Sequence, residues 1–296
     1  MSASLVIAGS CLKCGLRSKG LWAVIVATLV PMLILNVGLM LIPDQMWTLA
    51  VQVAAGFHGE DVGSATEWVK ETTGQAEQKR ELVLNTSVSG SIRVIGAVAS
   101  LIAIFFTALT NEAGRKSLAH VLSHPIRRSS IVLGSFLGTL AVVVPCVFAM
   151  TVFAFVLLLI ESGKADWPFF LSGLYLLAGV TVTTAYAVAF TTALPAIVGV
   201  FASVGYTWIA AKTYSVHLIL QQVTGVAEHL GRAWLYLIPR LGDFSTIAID
   251  KAMAWSMDEA TAPPITGNMT AGFILAALHV VFALTLATMS LRRKQV

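Results

Sequence analysis

Long apolar blocks constrain this chain more than any other feature of its sequence. Each block holds roughly 20 residues with few or no charges, the length of α-helix needed to cross a hydrocarbon core of about 30 Å at about 1.5 Å per residue. Lipid offers no hydrogen-bond partner to unpaired backbone groups, so a segment that spans the bilayer in this way must be helical. Six blocks meet the criterion, with approximate bounds 21–42, 92–109, 131–160, 169–190, 194–211 and 271–291.

The composition excludes a soluble globule of this size. Hydrophobic residues make up 57% of the 296 residues and charged residues only 11%, whereas a soluble domain carries about 25% charged residues. Because the apolar residues fall in membrane-length blocks, the bilayer replaces most of a conventional core. We therefore predict an all-α membrane protein in which residues 1–296 form a single transmembrane domain.

The basic residues predict the orientation of the helices. Three flanks of the apolar blocks are rich in Lys and Arg, and with six spans all three lie on one side, which the positive-inside rule makes cytoplasmic together with both termini. The net charge of +4 is thus accounted for without nucleic acid, because no basic stripe is interleaved with aromatic residues. The basic flanks contain Lys13, Arg17 and Lys19; Arg115, Lys116, Arg127 and Arg128; and Arg292, Arg293 and Lys294.

The loops between the blocks have their own patterns. Pro145 allows a kink in the third block, and the three residues 191–193, with Pro195 just after them, predict a tight hairpin between blocks four and five. The outer segments are 43–91, 161–168 and 212–270. The first carries apolar residues at helical spacing between Glu60 and Leu84, which predicts a small amphipathic cap. The last is interrupted by glycine and proline, which predicts short interfacial or re-entrant helices.

The segment between the second and third blocks carries the most informative motif. From Asn111 to Gly138 it is NEAGRKSLAHVLSHPIRRSSIVLGSFLG, and a short helix from Ser117 to Ser123 is expected to end before Pro125. Such a helix, lying across a cytoplasmic turn with an apolar underside, can transmit force from a partner protein to the two spans that it joins.

At these residues the chain resembles the ABC-2 type transporter permeases. In that family the second and third spans are joined by an acidic residue, a short Leu-rich helix, a Ser-x-Pro-x-Ser-Arg motif and then Ile-x-x-Gly-Lys. Two positions depart from the pattern, since Arg127 replaces the Ser before the Arg and Ser135 replaces the Lys after the Gly. The matching residues are Glu112, Ser117, Leu118, Leu122, Ser123, Pro125, Ile126, Arg128, Ile131 and Gly134.

The resemblance implies a permease subunit of an ABC exporter in the cytoplasmic (inner) membrane. Segment 110–130 would be its coupling segment, with a coupling helix between spans two and three. Residues 112–128 would meet a separate ABC ATPase that binds ATP and Mg²⁺, since the chain has no Gly-x-x-x-x-Gly-Lys-Ser/Thr loop. A second copy or a paralogue would complete a dimer, and no cofactor of its own is expected.

Other residues leave alternatives open. Cys11 and Cys14, or His120 and His124, have spacings that suit a metal, although no second pair completes a four-ligand site. An ATPase-independent membrane enzyme or assembly scaffold is the alternative function. Polar residues within the spans favour interhelical hydrogen bonds over substrate contacts. They are Asn36, Thr181, Thr183, Thr184, Tyr186 and His279.

Overall fold

A computed structural model describes six helices of this chain. It covers residues 6–9, 76–121, 128–162, 167–213, 237–253 and 269–293, with 216, 220, 225, 229, 231, 233 and 235 in addition. At 76–86 and 112–121 it describes the backbone alone. We name the helices α1 (Ala76–Val121), α2 (Arg128–Ser162), α3 (Trp167–Ala193), α4 (Ala196–Ala211), α5 (Leu241–Met253) and α6 (Met269–Arg293).

Four of these helices are long and apolar enough to cross a membrane, and they correspond to predicted blocks two, three, four and six. The membrane-length parts are Ser87–Asn111, Arg128–Ile160, Phe169–Ala193 and Gly272–Arg293. Block five is present as α4, which has only 16 residues and spans about 24 Å. Block one, 21–42, lies outside the described residues. The all-helical membrane fold is therefore confirmed, while the count of six spans stays a prediction.

Helix α3 is the centre of the bundle, because it packs against each of the other five helices. In the most apolar 18-residue stretch of α3, 67% is buried inside the protein, whereas the buried share of the corresponding stretch of α6 is 22%. Its sequence suits this position, since small residues such as Ala185, Ala187 and Ala189 are buried along it and let neighbouring backbones approach closely in the absence of a hydrophobic driving force between helices.

Helix α1 differs from the expectation at both of its ends. It is continuous over 46 residues, about 69 Å, so residues 76–84 of the predicted amphipathic cap and residues 112–121 of the predicted coupling segment both belong to the spanning helix. A separate helix beginning at Ser117 is not seen. The physical reason lies in the sequence, because no proline interrupts 76–121, and helix propagation costs little once a helix is formed.

Helices α3 and α4 form the predicted hairpin, with a connection shorter and slightly later than 191–193. Helix α3 continues to Ala193, and only Leu194 and Pro195 separate it from α4. Gly199 allows the two backbones to touch, since a Cβ atom there would lie 2.8 Å from the Cα of Thr191. The two helices are thus held together by backbone contact as well as by the short loop.

The last outer segment contains the short helix α5, which is folded against the bundle. Phe244, Ile247 and Ala248 of α5 are buried, and Phe244 packs beside Gly179 in the middle of α3. The hydroxyl of Thr213 accepts a hydrogen bond from the backbone N–H of Gly242, at 3.3 Å, which satisfies a donor in the first turn of α5. Segment 212–270 therefore contains a short helix that is buried in protein, while its re-entrant or interfacial placement stays a prediction.

Candidate functional site

The predicted coupling residues lie only partly within the described chain. Glu112, Ser117 and Leu118 belong to the last three turns of α1, where the backbone is described. Arg128 is the first residue of α2. The motif residues between the two helices, which fall outside the described residues, are Leu122, Ser123, Pro125, Ile126 and Arg127.

Arg128 links the start of α2 to the end of α6. Its guanidinium Nη1 donates a hydrogen bond to the backbone carbonyl of Arg292, at 3.1 Å. Carbonyls in the last turn of a helix have no partner within the helix, and a cation there also interacts favourably with the helix dipole. One residue from each of two basic flanks, Arg128 and Arg292, therefore lies at the same end of the bundle, hereafter the Arg128 end, as the predicted topology requires.

Asn111, the first residue of the motif, connects three helices at the same end. Its side-chain amide nitrogen donates to the hydroxyl of Thr191 on α3, at 2.7 Å. Its amide oxygen accepts from the hydroxyl of Ser135 on α2, at 3.1 Å. The Thr191 hydroxyl donates its own proton to the carbonyl of Ala187, at 2.6 Å, so it can bind Asn111 only as an acceptor. This fixes which end of the amide faces each helix.

A second polar contact lies one helical turn further into the bundle. The hydroxyls of Thr107 on α1 and Thr139 on α2 are 3.3 Å apart, and both side chains are fully buried. A hydroxyl has one proton to donate; with that of Thr107 on the carbonyl of Ala103, at 2.6 Å, Thr107 accepts from Thr139, whose hydroxyl has the carbonyl of Ser135, at 3.0 Å, as its alternative acceptor. We call the five side chains that join α1, α2 and α3 the polar ladder; they are Thr107, Asn111, Ser135, Thr139 and Thr191.

A third polar contact joins α3 to α6. The hydroxyl of Tyr186 and Nδ1 of His279 are 2.8 Å apart, and both residues are buried. The ring of Tyr206 on α4 packs on Tyr186 with centroids 4.5 Å apart. The predicted interhelical hydrogen bonding is thus confirmed for this pair.

The three threonines predicted to bond between helices behave differently. Thr181, Thr183 and Thr184 each donate to the carbonyl four residues earlier in α3, a local bond that Thr makes readily in a helix. Asn36, the remaining polar span residue, lies outside the described residues.

Neither proposed metal pair can be placed from the described residues. Cys11, Cys14 and His124 lie outside them, and at His120 only the backbone is described. Among the side chains that the structure does describe, no group of three or more His, Cys, Asp or Glu residues is suited to hold a metal ion.

The sequence identified the coupling segment but did not predict the polar ladder next to it. Asn111 was the first residue of the motif, yet nothing in its spacing indicated that its partners would be Ser135, 24 residues later, and Thr191, 80 residues later. The available signal was compositional, because a polar residue at the end of an apolar span that is followed by more helix must find a partner or water.

Comparison with known proteins agrees with this architecture. The family model for the ABC-2 family transporter protein matches residues 5–295, nearly the whole chain. No curated protein matches it. Together with the membrane-length helices, this match shows that the chain is a multi-pass membrane protein that belongs to the ABC-2 family of transporter proteins.

Proposed function

We propose that the chain is the permease subunit of an ATP-driven exporter in the cytoplasmic membrane. Residues 112–128 receive the movement of a separate ABC ATPase, and the bundle converts it into a change of access from the inner to the outer side. Family membership favours this function over the alternative of an ATPase-independent enzyme or scaffold. The observation that carries it is the joining of α1, α2, α3 and α6 at the Arg128 end, the end from which residues 112–121 continue α1 beyond its membrane-length part.

The extension of α1 beyond Asn111 supports this role. Ten residues, 112–121, continue the helix past the membrane-length part that ends at Asn111, over about 15 Å. A helix that leaves the bilayer without a break presents a rigid surface to a partner, and any displacement of that surface moves the span itself. A flexible loop at this place would absorb the same displacement.

The proposed orientation places the Arg128 end in the cytoplasm. The basic residues Arg128, Arg292 and Arg293 lie there, as expected for a cytoplasmic membrane surface. An ATPase subunit reaches the permease only from that side. A second copy of the chain or a paralogue completes the transport pathway, so the complete transporter holds two permease subunits and two ATPase subunits.

Copurification tests the proposed partner. The full chain, tagged at its C-terminus and extracted in mild detergent, should retain an ABC ATPase that mass spectrometry identifies, and the complex should hydrolyse ATP. Leu122→Asp and Arg128→Glu should each reduce the recovered ATPase at least about fivefold. Arg293→Glu is the matched control, because it makes the same charge change at an exposed site outside 112–128.

The outcomes separate the two functions. Recovery of the chain without any ATPase, in membranes that contain the source cell's own ABC ATPases, would contradict the proposal. Equal loss of ATPase in Arg293→Glu would show that surface charge, and not the coupling segment, determines the association. The genes that neighbour this one would identify the candidate ATPase and narrow the class of substrate.

A further inference from the structure

We infer that Asn111 is a positioning residue that passes movement of residues 112–128 to the hairpin formed by α3 and α4. This inference rests on the proposed function and adds to it the route by which movement enters the bundle. Asn111 is the last residue of the membrane-length part of α1, so it lies between the segment that meets the ATPase and the helices that line the bundle.

The first step of the route is the hydrogen bond between Asn111 and Thr191. At 2.7 Å it is short for an N–H···O bond. The Thr191 side chain is buried, so water cannot easily take the place of Asn111 as the donor to this hydroxyl, which keeps its own bond to the carbonyl of Ala187. Relative movement of α1 and α3 at this level would break the bond, and the two helices are therefore held to move together.

The second step is the backbone contact behind Thr191. The space at Gly199 on α4 is closed by the Cα of Thr191 and by the carbonyl of Phe190, whose oxygen would lie 3.0 Å from an added Cβ. Only Leu194 and Pro195 connect the two helices. Since neither the contact nor the loop leaves room for α4 to slide on α3, a displacement of Thr191 carries α4 with it.

A branch of the same route reaches α2. The Ser135 hydroxyl donates to the Asn111 amide oxygen, and one turn deeper the hydroxyls of Thr107 and Thr139 hold α1 and α2 in register. One amide thus determines the position of α2 and of the α3–α4 hairpin relative to α1. Helix α6 has no member in the polar ladder, but it is joined to α3 through His279 and to α2 through Arg292, so distances measured from α6 report the movement that these contacts do not transmit to it.

Distances between pairs of spin labels, measured by pulsed electron–electron double resonance, test the route. Leu109 on α1, Ile197 on α4 and Met289 on α6 all face outward from the bundle and accept labels without disturbing it. The α1–α6 pair reports movement of α1, and the α4–α6 pair reports movement of the hairpin. Labels are placed after the native cysteines Cys11, Cys14 and Cys146 are replaced by alanine.

The measurement uses the full chain with its ATPase in liposomes, with labelled chains diluted into unlabelled ones so that distances within one chain dominate. Mg-ATP with vanadate is the probe. In the otherwise unchanged protein both pairs should shift. In Thr191→Val, which keeps the shape of the side chain and loses the acceptor, the α1–α6 pair should keep its shift and the α4–α6 pair should lose at least half of its shift. Thr191→Ser should restore it.

Thr184→Val is the matched control, because Thr184 is equally buried on α3 and its hydroxyl bonds to the carbonyl of Val180 within the same helix. It should leave both shifts unchanged. If Thr191→Val does not fold, Asn111→Ala removes the same bond from the other side and should give the same separation of the two shifts.

The failures of the two proposals differ. No nucleotide-dependent shift of the α1–α6 pair in the unchanged protein would overturn the proposed function itself. A shift of that pair with a full α4–α6 shift in both Thr191→Val and Asn111→Ala would overturn the role of Asn111 alone. The role of Asn111 would also be overturned if the α4–α6 distance did not shift in the unchanged protein, or if Thr184→Val lost the α4–α6 shift as well.

Discussion

The contact between α3 and α4 should make Gly199 intolerant of any side chain. A Cβ atom at Gly199 would lie 2.8 Å from the Cα of Thr191 and 3.0 Å from the carbonyl oxygen of Phe190. Both are backbone atoms, so no rotamer change can relieve the overlap, and the two helices would have to separate. Overpacking of this kind costs about 1–3 kcal/mol, and the rigid neighbours place Gly199→Ala in the upper half of that range.

Gly205 provides the control on the same helix. Beyond the neighbouring backbone of α4, no atom of the described residues lies within 4 Å of the position that its Cβ would take, so Gly205→Ala meets no obstacle among them and gains up to about 1 kcal/mol from the higher helix propensity of alanine. Both variants add one methyl group to α4. Any difference between them therefore reports the contact with α3 and not the change in composition.

Thermal unfolding of the purified chain in detergent, followed by tryptophan fluorescence, would measure the effect. At about 2–4 °C per kcal/mol for a chain of roughly this size, Gly199→Ala should lower the midpoint by roughly 4–12 °C, while Gly205→Ala should leave it unchanged or raise it slightly. Equal midpoints for the two variants would refute the close approach of α3 and α4.

Three further predictions concern other contacts. Tyr186→Phe removes the hydroxyl that bonds to His279 and should lower the free energy of unfolding by about 0.6 kcal/mol, the average for such bonds between membrane helices. A loss above about 2 kcal/mol in chemical unfolding would show that the pair does more than join α3 to α6. Phe169→Ala empties a fully buried site and should lower the free energy of unfolding by about 3 kcal/mol, whereas Leu174→Ala on the exposed face of the same helix should lower it by less than about 0.5 kcal/mol. Similar losses for the two variants would contradict the packing of α3. A cysteine at exposed Ser129 should react with an impermeant maleimide only in inside-out vesicles, and one at exposed His229 only in intact cells; the reverse pattern would invert the proposed orientation.

Hydropathy located most of the fold because the bilayer imposes one simple requirement on every spanning helix. The predicted spans 131–160, 169–190 and 271–291 lie within the observed α2, α3 and α6, and each observed helix extends the prediction by only two or three residues at either end. These extensions contain residues such as Arg128 and Arg293. A count of apolar residues leaves them out of a predicted span, although they fit the geometry of the helix.

Helix continuity was harder to predict than helix position. The sequence predicted a separate short helix from Ser117 to Ser123 that ends before Pro125. The described helix nevertheless runs on to Val121, since Glu, Ala, Arg, Lys and Leu in 112–121 are good helix formers and a helix in water needs no apolar face to continue from a formed one.

The polar ladder could not be predicted from one sequence because it depends on distances between helices. Serine and threonine within spans usually bond to their own helix, as Thr184 does, and no local signal distinguishes them from Thr191, which also meets Asn111. Only the packing of α1 against α3 decides which hydroxyl acquires a second partner.

The continuity of α1 has a mechanical consequence. A stiff rod of about 69 Å is more than twice as long as the hydrocarbon core is thick, and near its middle Gly96 lies against Leu176, with only 3.2 Å between that side chain and the position of an added Cβ. A push on one end of such a rod tilts it as one body, and the bond from Asn111 to Thr191 couples that tilt to α3. Under the proposed function, one such tilt would change the spacing of the helices at both faces of the membrane.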